Sequence, residues 1–127
     1  MKEKKVFIVD DDKLIRHFLE YSFIGKEGYA VNVFSKAEDC IENLDKRPDY
    51  IILDHLFLGN GESLMTGLDA LLKIRNIDKT VSVIVLSNIH DNELKCNYLA
   101  NGATKFILKE GFFLNKLFDT FDNPAFN

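Results

Sequence analysis

Short apolar runs alternate with amphipathic stretches along the chain, a pattern that predicts β-strands alternating with α-helices. The first run, 5–9, does not alternate in polarity and is therefore typical of a strand buried on both faces of a sheet. Similar runs follow at intervals long enough to hold a helix between them. In chain order, the predicted strands are 5–9, 30–34, 50–54, 81–86 and 106–108.

Between and after these runs, apolar residues recur at the spacing of an amphipathic helix. Gly25 and Gly28 are signals that end the first predicted helix, and Gly102 ends the fourth, which is predicted at 92–100. The apolar positions of the first helix are Leu14, Ile15, Phe18, Leu19 and Phe23. Those of the last helix are Phe113, Leu114, Leu117, Phe118 and Phe121.

Two short motifs predict where the second and third helices begin. Ser35 and Glu38 have the spacing of a capping box, in which each side chain bonds to a free backbone amide of the other end of the motif. Thr66 and Asp69 form a weaker version of the same motif. The residues of these two helices predicted to point inward are Ala37, Ile41 and Leu44, and then Leu68, Leu71, Leu72 and Ile74.

Strands that alternate with helices predict an α/β fold, a doubly wound parallel sheet with right-handed crossovers and helices on both faces. The strand order 2-1-3-4-5 is a common solution for five strands. In such a sheet, ligands bind beyond the carboxyl ends of the strands at the switch point, here between the first and third strands. We therefore expect the chemistry of the protein at those two strand ends.

Composition narrows the possible functions. The 127 residues suit a single domain, and 16 basic against 20 acidic residues give a net charge of −4, which disfavours broad binding to nucleic acid or anionic membranes. No apolar run approaches the length of a membrane helix, and the amino terminus lacks the apolar core of a signal peptide. Cys40 and Cys96 form no CxxC pair, so we expect a reduced, cytoplasmic setting without a disulfide framework or zinc ribbon.

Acidic residues follow the two strands at the predicted switch point. Asp10, Asp11 and Asp12 end the first strand, and Asp54 ends the third. Two such charges about 4 Å apart repel by about 4 kcal/mol at an effective dielectric constant near 20, so the cluster needs a cation or a shared proton. Capping of the first helix explains one acid but not Asp54. All-oxygen ligands favour Mg²⁺ or Mn²⁺.

A hydroxyl and an ammonium group are predicted to face the same cleft. Ser87 ends the fourth strand and Lys109 ends the fifth. Singly, each is typical of a turn residue or a solvated strand end. Together with Asp54 they favour phosphoryl chemistry, because a carboxylate can accept a phosphoryl group whose charge a divalent cation and a lysine neutralise.

The chain resembles the receiver domain of two-component response regulators. The resemblance covers about 4–121 and rests on four segments in their expected order and spacing: 6–12, 48–54, 83–87 and 102–109. It implies a flavodoxin-like (βα)₅ receiver fold in a single domain. Only 122–127 follow, too few residues to fold, so we expect no output domain. Output is then expected from docking a partner or from passing the phosphoryl group on.

The resemblance also implies roles for individual residues. Asp54 corresponds to the phosphoacceptor, and Asp10 and Asp11 to the acidic pair that holds Mg²⁺, whereas Asp12 is expected to face the helix. The backbone carbonyl of Leu56 corresponds to a further metal ligand. Asp54 thus counts both as catalytic residue and as metal ligand.

The remaining implied roles concern switching. Ser87 is expected to bond to a phosphoryl oxygen and Lys109 to pair with it, while Phe106 matches an aromatic switch position that moves inward. Phosphorylation adds negative charge and acceptor oxygens, which would shift the surface made of the fourth helix, fifth strand and fifth helix. The implied partners are a sensor histidine kinase or phosphotransfer protein as donor, and a downstream protein on that surface.

Three departures from the family pattern stand out. Glu110 follows Lys109 where the family has a proline with a cis peptide bond. The loop from about His55 to Met65 is longer than usual by about five residues, since the matching Gly67 stands thirteen residues after Asp54, and an insertion of this kind costs little. Leu56 and Ile89 are apolar at positions that influence the hydrolytic water, so we predict slow hydrolysis of phosphorylated Asp54.

Two other classes of function compete with this interpretation. One is a receiver-like interaction module that is never phosphorylated, which Glu110 and the long loop keep open. The other is a Mg²⁺-dependent phosphatase with Asp54 as its nucleophile, which is disfavoured because Leu56 stands where a second acid would act. Flavin binding is disfavoured because the first loop offers acids to a phosphate.

Several residues with reactive side chains have simpler interpretations. His55 follows Asp54, so its side chain is expected on the other face, as a packing or loop residue. Cys40 and Cys96 are expected to be buried small apolar residues rather than sensors. Phe112 lies off the apolar stripe of the last helix and could belong to a docking surface.

Overall fold

The computed structural model describes residues 3–55, 66–111 and 113–122. Its strands are β1 (Lys4–Val9), β2 (Tyr29–Phe34), β3 (Tyr50–Asp54), β4 (Ser82–Ser87) and β5 (Lys105–Leu108). Its helices are α1 (Lys13–Ser22), α2 (Ala37–Glu42), α3 (Gly67–Ile77), α4 (Asn92–Ala100) and α5 (Phe113–Asp122), with a short 3₁₀ turn at Leu44–Lys46.

All five strands pair in parallel, in the order β2-β1-β3-β4-β5. The predicted doubly wound α/β fold and strand order are therefore confirmed. β3 pairs with β1 and β4, and every residue of β3 is buried because both faces of this central strand are covered. Alternate side chains along the central strands enter two separate cores, one on each face of the sheet.

The two cores differ in the helices that cover them. One is covered by α1 and α5, and its buried members are Val6, Ile8, Leu19, Phe23, Tyr50, Ile52, Ile84, Leu86, Ile107, Leu117 and Phe121. The other is covered by α2, α3 and α4, and its largest buried members are Phe7, Ile51, Leu53, Leu71, Ile74 and Tyr98. The acidic residues after β1 and β3 lie at the edge that the two cores share.

The predicted apolar face of α1 is only partly correct. Leu19 and Phe23 are buried, but Leu14 is 77% exposed and Phe18 is 48% exposed. The spacing of the five positions spans more of the helix circumference than one face of the sheet can cover, so the outer residues remain in solvent. Leu72 of α3 is exposed for the same reason.

Helix starts match the predictions at two of three places. Asp12 caps α1 by accepting hydrogen bonds from the amides of Leu14 and Ile15. Thr66 and Asp69 form the predicted capping box of α3. The box predicted at Ser35 and Glu38 is wrong, because α2 begins at Ala37 with the extended residue Lys36 as its N-cap.

A glycine allows the close turn after α4. Gly102 has a positive φ of 109° after α4, and a side chain there would collide with that of Arg75, whose Nε donates to the Gly102 carbonyl.

Within the described residues, no helix is both long and apolar enough to cross a membrane.

Candidate functional site

Three carboxylates converge where β1 and β3 end. Asp10, Asp11 and Asp54 each offer an oxygen, and these oxygens all lie within 4.8 Å of one another. Asp10 is 1% exposed and Asp54 is 5% exposed, so two of the three charges are almost completely removed from water. The register of the sheet produces this cluster, because Val9 of β1 lies beside Leu53 of β3.

Local hydrogen bonds fix the first loop. The Asp10 amide donates to the Phe34 carbonyl, and the Asp12 amide donates to Oδ1 of Asp10 at 2.9 Å. Nη1 of Arg16 donates to the Asp10 carbonyl at 2.8 Å. These bonds hold one oxygen of Asp10 in the loop and leave its second oxygen facing the cluster.

Burial and mutual repulsion disfavour the ionised forms of Asp10 and Asp54, and Lys109 offsets this only in part. Burial raises the pKa of Asp54 to about 7, with a further increase from the charge of Asp10. Burial likewise raises the pKa of Asp10. Both shifts mean that the ionised carboxylates lose more hydration than their described partners restore.

These residues fit a divalent cation. Oδ2 of Asp10 is buried and accepts no hydrogen bond from the described residues, although Lys109 Nζ lies 3.5 Å away. A buried carboxylate oxygen that no described group hydrogen-bonds, beside two further carboxylates, is part of the kind of ligand set that Mg²⁺ prefers. The expected acidic cluster is therefore present at Asp10, Asp11 and Asp54.

Lys109 completes the site from the end of β5. Its Nζ donates to Oδ1 of Asp54 at 2.6 Å, and its backbone amide donates to the Ser87 carbonyl at 2.8 Å. Burial acts to lower the pKa of Lys109, but the carboxylates of Asp54 and Asp10 outweigh burial and raise it. Lys109 is therefore a fixed cation beside Asp54.

The peptide bond between Lys109 and Glu110 is trans, since the described residues contain no cis peptide bond. Lys109 thus reaches Asp54 without the proline that the family places next. The Glu110 carboxylate instead lies 2.8 Å from Nε2 of His90, and both side chains are more than half exposed. This pair joins the loop after β4 to the loop after β5.

Ser87 ends β4 close to the site, but its side chain hydrogen-bonds to the loop that follows the strand. The residue is 2% exposed, and its Oγ accepts a hydrogen bond from the Ile89 amide at 3.0 Å. Among the described contacts, no hydrogen bond joins Ser87 to Asp54. In this bond the Ser87 hydroxyl is the acceptor, so its O–H proton remains able to donate to a group on Asp54.

Phe106 lies partly buried on β5, and its ring centroid is 5.8 Å from that of Tyr98. It borders a groove of about 390 Å³ between α4, β5 and α5. The other residues that line the groove are His90, Asp91, Asn92, Lys95, Ile107, Leu108 and Lys116.

The sequence analysis missed the surroundings of His55. As expected, its side chain points to the face opposite Asp54, but there it meets the hydroxyl of Tyr98 at 2.5 Å from Nδ1. Burial lowers the pKa of His55, and the charge of Lys109 lowers it further. Helical spacing could have shown that Tyr98 faces inward, but not which side chain it would meet.

Some predicted residues lie outside the described parts of the chain. These are Leu56, with the carbonyl predicted to bind metal, the inserted part of the loop up to 65, and Phe112. Of the two cysteines, Cys40 is buried as expected, which raises the pKa of its thiol to about 12, whereas the expectation is wrong for Cys96, which is exposed on α4.

Together, the sheet order and the carboxylate cluster define a doubly wound α/β protein with an acidic site at its topological switch point. The chain belongs to the response regulator receiver domain family, whose family model matches residues 6–120. The resemblance found in the sequence is thereby confirmed, and with it a place in two-component signalling.

Individual relatives agree with this assignment. The chemotaxis protein CheY of Thermotoga maritima is 30% identical over 108 residues, which cover 84% of this chain and 85% of that protein. A protein-glutamate methylesterase/protein-glutamine glutaminase of Paramagnetospirillum magneticum is 37% identical over 123 residues, or 94% of this chain. The chain spans only 34% of the length of that methylesterase.

Among solved structures, the chemotaxis protein CheY4 of Vibrio cholerae superposes with a TM-score of 0.78. It is 25% identical, and the match covers 92% of this chain and 97% of that one. The similarity therefore extends over nearly the whole receiver fold.

Proposed function

We propose that this chain is a phosphoacceptor, in which phosphorylation of Asp54 switches a surface that binds a partner. The observation that carries the proposal is the position of Asp54, buried at the end of β3 with Lys109 Nζ at 2.6 Å. A phosphoryl group on that carboxylate would place its oxygens beside a fixed cation, which is the electrostatic arrangement that phosphoryl transfer needs.

In the proposed reaction, one oxygen of the ionised Asp54 carboxylate attacks the phosphorus of a phosphodonor. The bond from phosphorus to the nitrogen or oxygen of the donor breaks, and the leaving group keeps the bonding electron pair. An imidazole leaving group takes up a proton from solvent. Lys109 stays protonated throughout and balances the charge that the phosphoryl oxygens bring.

A divalent cation, Mg²⁺ or Mn²⁺, would be held by the carboxylates of Asp10, Asp11 and Asp54, with the Leu56 carbonyl as the further ligand that the family implies. When bound, it neutralises phosphoryl oxygens as they approach the acidic cluster. Support comes from the three converging carboxylates and from the buried Asp10 oxygen that accepts no hydrogen bond from the described residues.

Switching is proposed to run through Ser87 and Phe106. The Ser87 hydroxyl, which accepts from the Ile89 amide here, donates its proton to a phosphoryl oxygen, and Phe106 moves inward from the rim of the groove. The groove between α4, β5 and α5 would then change shape, and a downstream protein would recognise the change. The donor would be a sensor histidine kinase or a phosphotransfer protein, as in the family.

We propose a signalling phosphoacceptor rather than an enzyme with an external substrate. The methylesterase among the relatives is matched over 34% of its length, so its activity does not transfer to this chain with the match. The only covalent chemistry proposed is phosphorylation from a donor, followed by hydrolysis of the aspartyl phosphate.

The proposal is tested by intact mass after incubation with acetyl phosphate and Mg²⁺. Wild type is expected to gain one phosphoryl group, Asp54→Ala none, and Asp45→Ala, an exposed acid outside the site, as much as wild type. Equal labelling of wild type and Asp54→Ala would show that Asp54 is not the acceptor. No gain in wild type, with Mg²⁺ binding shown separately, would mean either that the domain accepts a phosphoryl group only from its cognate donor or that it is an interaction module that is not phosphorylated.

A further inference from the structure

Helix α4 is attached to the body of the protein mainly by one side chain. Tyr98 is its only fully buried residue, and Leu94 is partly buried. The other seven residues of Asn92–Ala100 are exposed. The position of α4 on the sheet therefore depends strongly on what Tyr98 contacts.

Tyr98 reaches the residue that follows the phosphoacceptor. Its hydroxyl lies 2.5 Å from Nδ1 of His55, and the two rings meet edge to face with centroids 5.4 Å apart. The backbone of His55 is itself fixed, because its amide donates to the Leu86 carbonyl at 3.0 Å. The contact thus joins α4 to the end of β3, one residue from Asp54.

The first residue of α3 closes the space around this contact. A Cβ atom on Gly67 would collide with the Tyr98 hydroxyl and would lie 3.1 Å from both the Asp54 carbonyl oxygen and the His55 Cα. The hydroxyl is therefore enclosed where β3, α3 and α4 meet. A polar group so buried requires a partner, and His55 Nδ1 is the one within hydrogen-bond distance among the described residues.

The other side of Tyr98 contacts the proposed switch. Its ring packs against that of Phe106, with centroids 5.8 Å apart. Tyr98 therefore lies between the residue behind Asp54 and the aromatic residue that is proposed to move. A displacement of α4 has to move this ring, and with it the hydrogen bond to His55.

We propose that the hydrogen bond between Tyr98 and His55 is a latch, which holds α4 in the position seen here and opposes the change driven by phosphorylation of Asp54. The inference rests on the proposed function and adds a regulatory contact to it. A bond that exists in the unphosphorylated state favours that state, so its removal shifts the population toward the switched state. By thermodynamic linkage, the same removal strengthens binding of a phosphoryl mimic at Asp54.

The test compares wild type with Tyr98→Phe, which removes the hydroxyl and keeps the ring in the core. Hydrogen exchange of the α4 amides is measured without Mg²⁺ or phosphodonor, and affinity for beryllium fluoride with Mg²⁺ is measured as the phosphoryl mimic. Both exchange and affinity are expected to rise by about two- to tenfold, the range for one net hydrogen bond. Tyr21→Phe, which removes the hydroxyl of a 72% exposed tyrosine, is the matched control and is expected to change neither.

A second variant shows whether the bond itself is responsible. His55→Ala is expected to raise exchange in α4, and the double variant to add little to either single change, because both break the same contact. The latch is wrong if Tyr98→Phe leaves α4 exchange or beryllium fluoride affinity at the wild-type value, or weakens that affinity. Fully additive effects would also overturn it.

Failure of the proposed function would give a different result in these measurements. In that case wild type itself would neither bind beryllium fluoride nor gain a phosphoryl group, and the latch would have no switch to oppose. Failure of the latch alone would leave wild type fully responsive and would appear only in the comparison of variants.

Discussion

The two helices that flank β5 are anchored in opposite ways. α5 packs aromatic rings into the core, where Phe121 lies 4.2 Å from the Tyr50 ring and within 6 Å of Phe23 and Tyr29, measured between ring centroids. α4 buries one residue, Tyr98, whose hydroxyl bonds to His55. A helix held by many apolar contacts resists displacement, whereas a helix held by one side chain can be released by losing one bond.

The difference gives each side of the site its own role. The α5 side is a fixed frame that holds Lys109 against Asp54 at the end of β5. The α4 side carries Ser87, His55 and Tyr98, whose hydrogen bonds can be exchanged. Substitutions on each side can test this division, and their expected effects differ in size.

The largest effect is expected on the fixed side. Phe121→Ala removes a 1% exposed ring from the aromatic cluster, and the free energy of unfolding should fall by about 3–5 kcal/mol. Chemical denaturation measures this, with Leu99→Ala on α4 as a control expected near zero because Leu99 is 41% exposed. Similar losses for the two variants would remove the basis for the comparison.

Mg²⁺ is expected to stabilise the folded protein by binding the carboxylates of Asp10, Asp11 and Asp54. At a concentration one hundred times its dissociation constant, it should raise the free energy of unfolding by about 2.7 kcal/mol, because it binds the folded cluster of acids. Thermal unfolding with and without Mg²⁺ measures the effect. Asp10→Asn should largely abolish it and Asp45→Asn should not, so an equal response of both variants would place the cation elsewhere.

A smaller effect is expected on hydrolysis of the aspartyl phosphate. Leu56 and Ile89 are apolar and cannot orient a water molecule, so the phosphorylated protein should decay slowly for a receiver. Leu56→Asn should speed decay by about two- to tenfold, as expected for one added hydrogen bond. Intact mass followed over time measures the rate, and an unchanged rate would show that this position does not control the water.

The smallest effect is expected at the pair that joins the two loops. His90 and Glu110 are both more than half exposed, so Glu110→Ala should change the free energy of unfolding by at most about 1 kcal/mol. Labelling by acetyl phosphate should remain at the wild-type level, because Lys109 reaches Asp54 across a trans peptide bond. A large loss of labelling would show that Glu110 positions the lysine.

Much of the fold could be predicted because its signals are local. The predicted bounds of β3 and α4 agree with the structure, and the other strands differ by at most one residue at either end. A buried strand can be recognised in the sequence as a short apolar run, independently of its neighbours in the fold. The acidic cluster was predictable for a related reason, since parallel strands bring their carboxyl ends to the same edge.

Other features depend on which surfaces meet. The sequence placed Leu14 and Phe18 of α1 with the apolar set, but the sheet covers only part of the helix and leaves both exposed. It placed a capping box at Ser35 and Glu38, but the path of the chain after β2 starts α2 one residue later. Periodicity describes a helix alone, and its neighbours decide which part of it is buried.

The sequence by itself determined the class of protein. Apolar runs, acids at two strand ends and a lysine at a third predict the doubly wound sheet and its site, because each of these signals lies within a few residues of chain. The resemblance of four such segments then indicated the receiver family. Only the tertiary structure decided that Lys109 reaches Asp54 across a trans bond, and that Tyr98 meets His55. Those contacts join residues 55 and 43 positions apart, and such pairs come together only through the packing of the sheet and its helices.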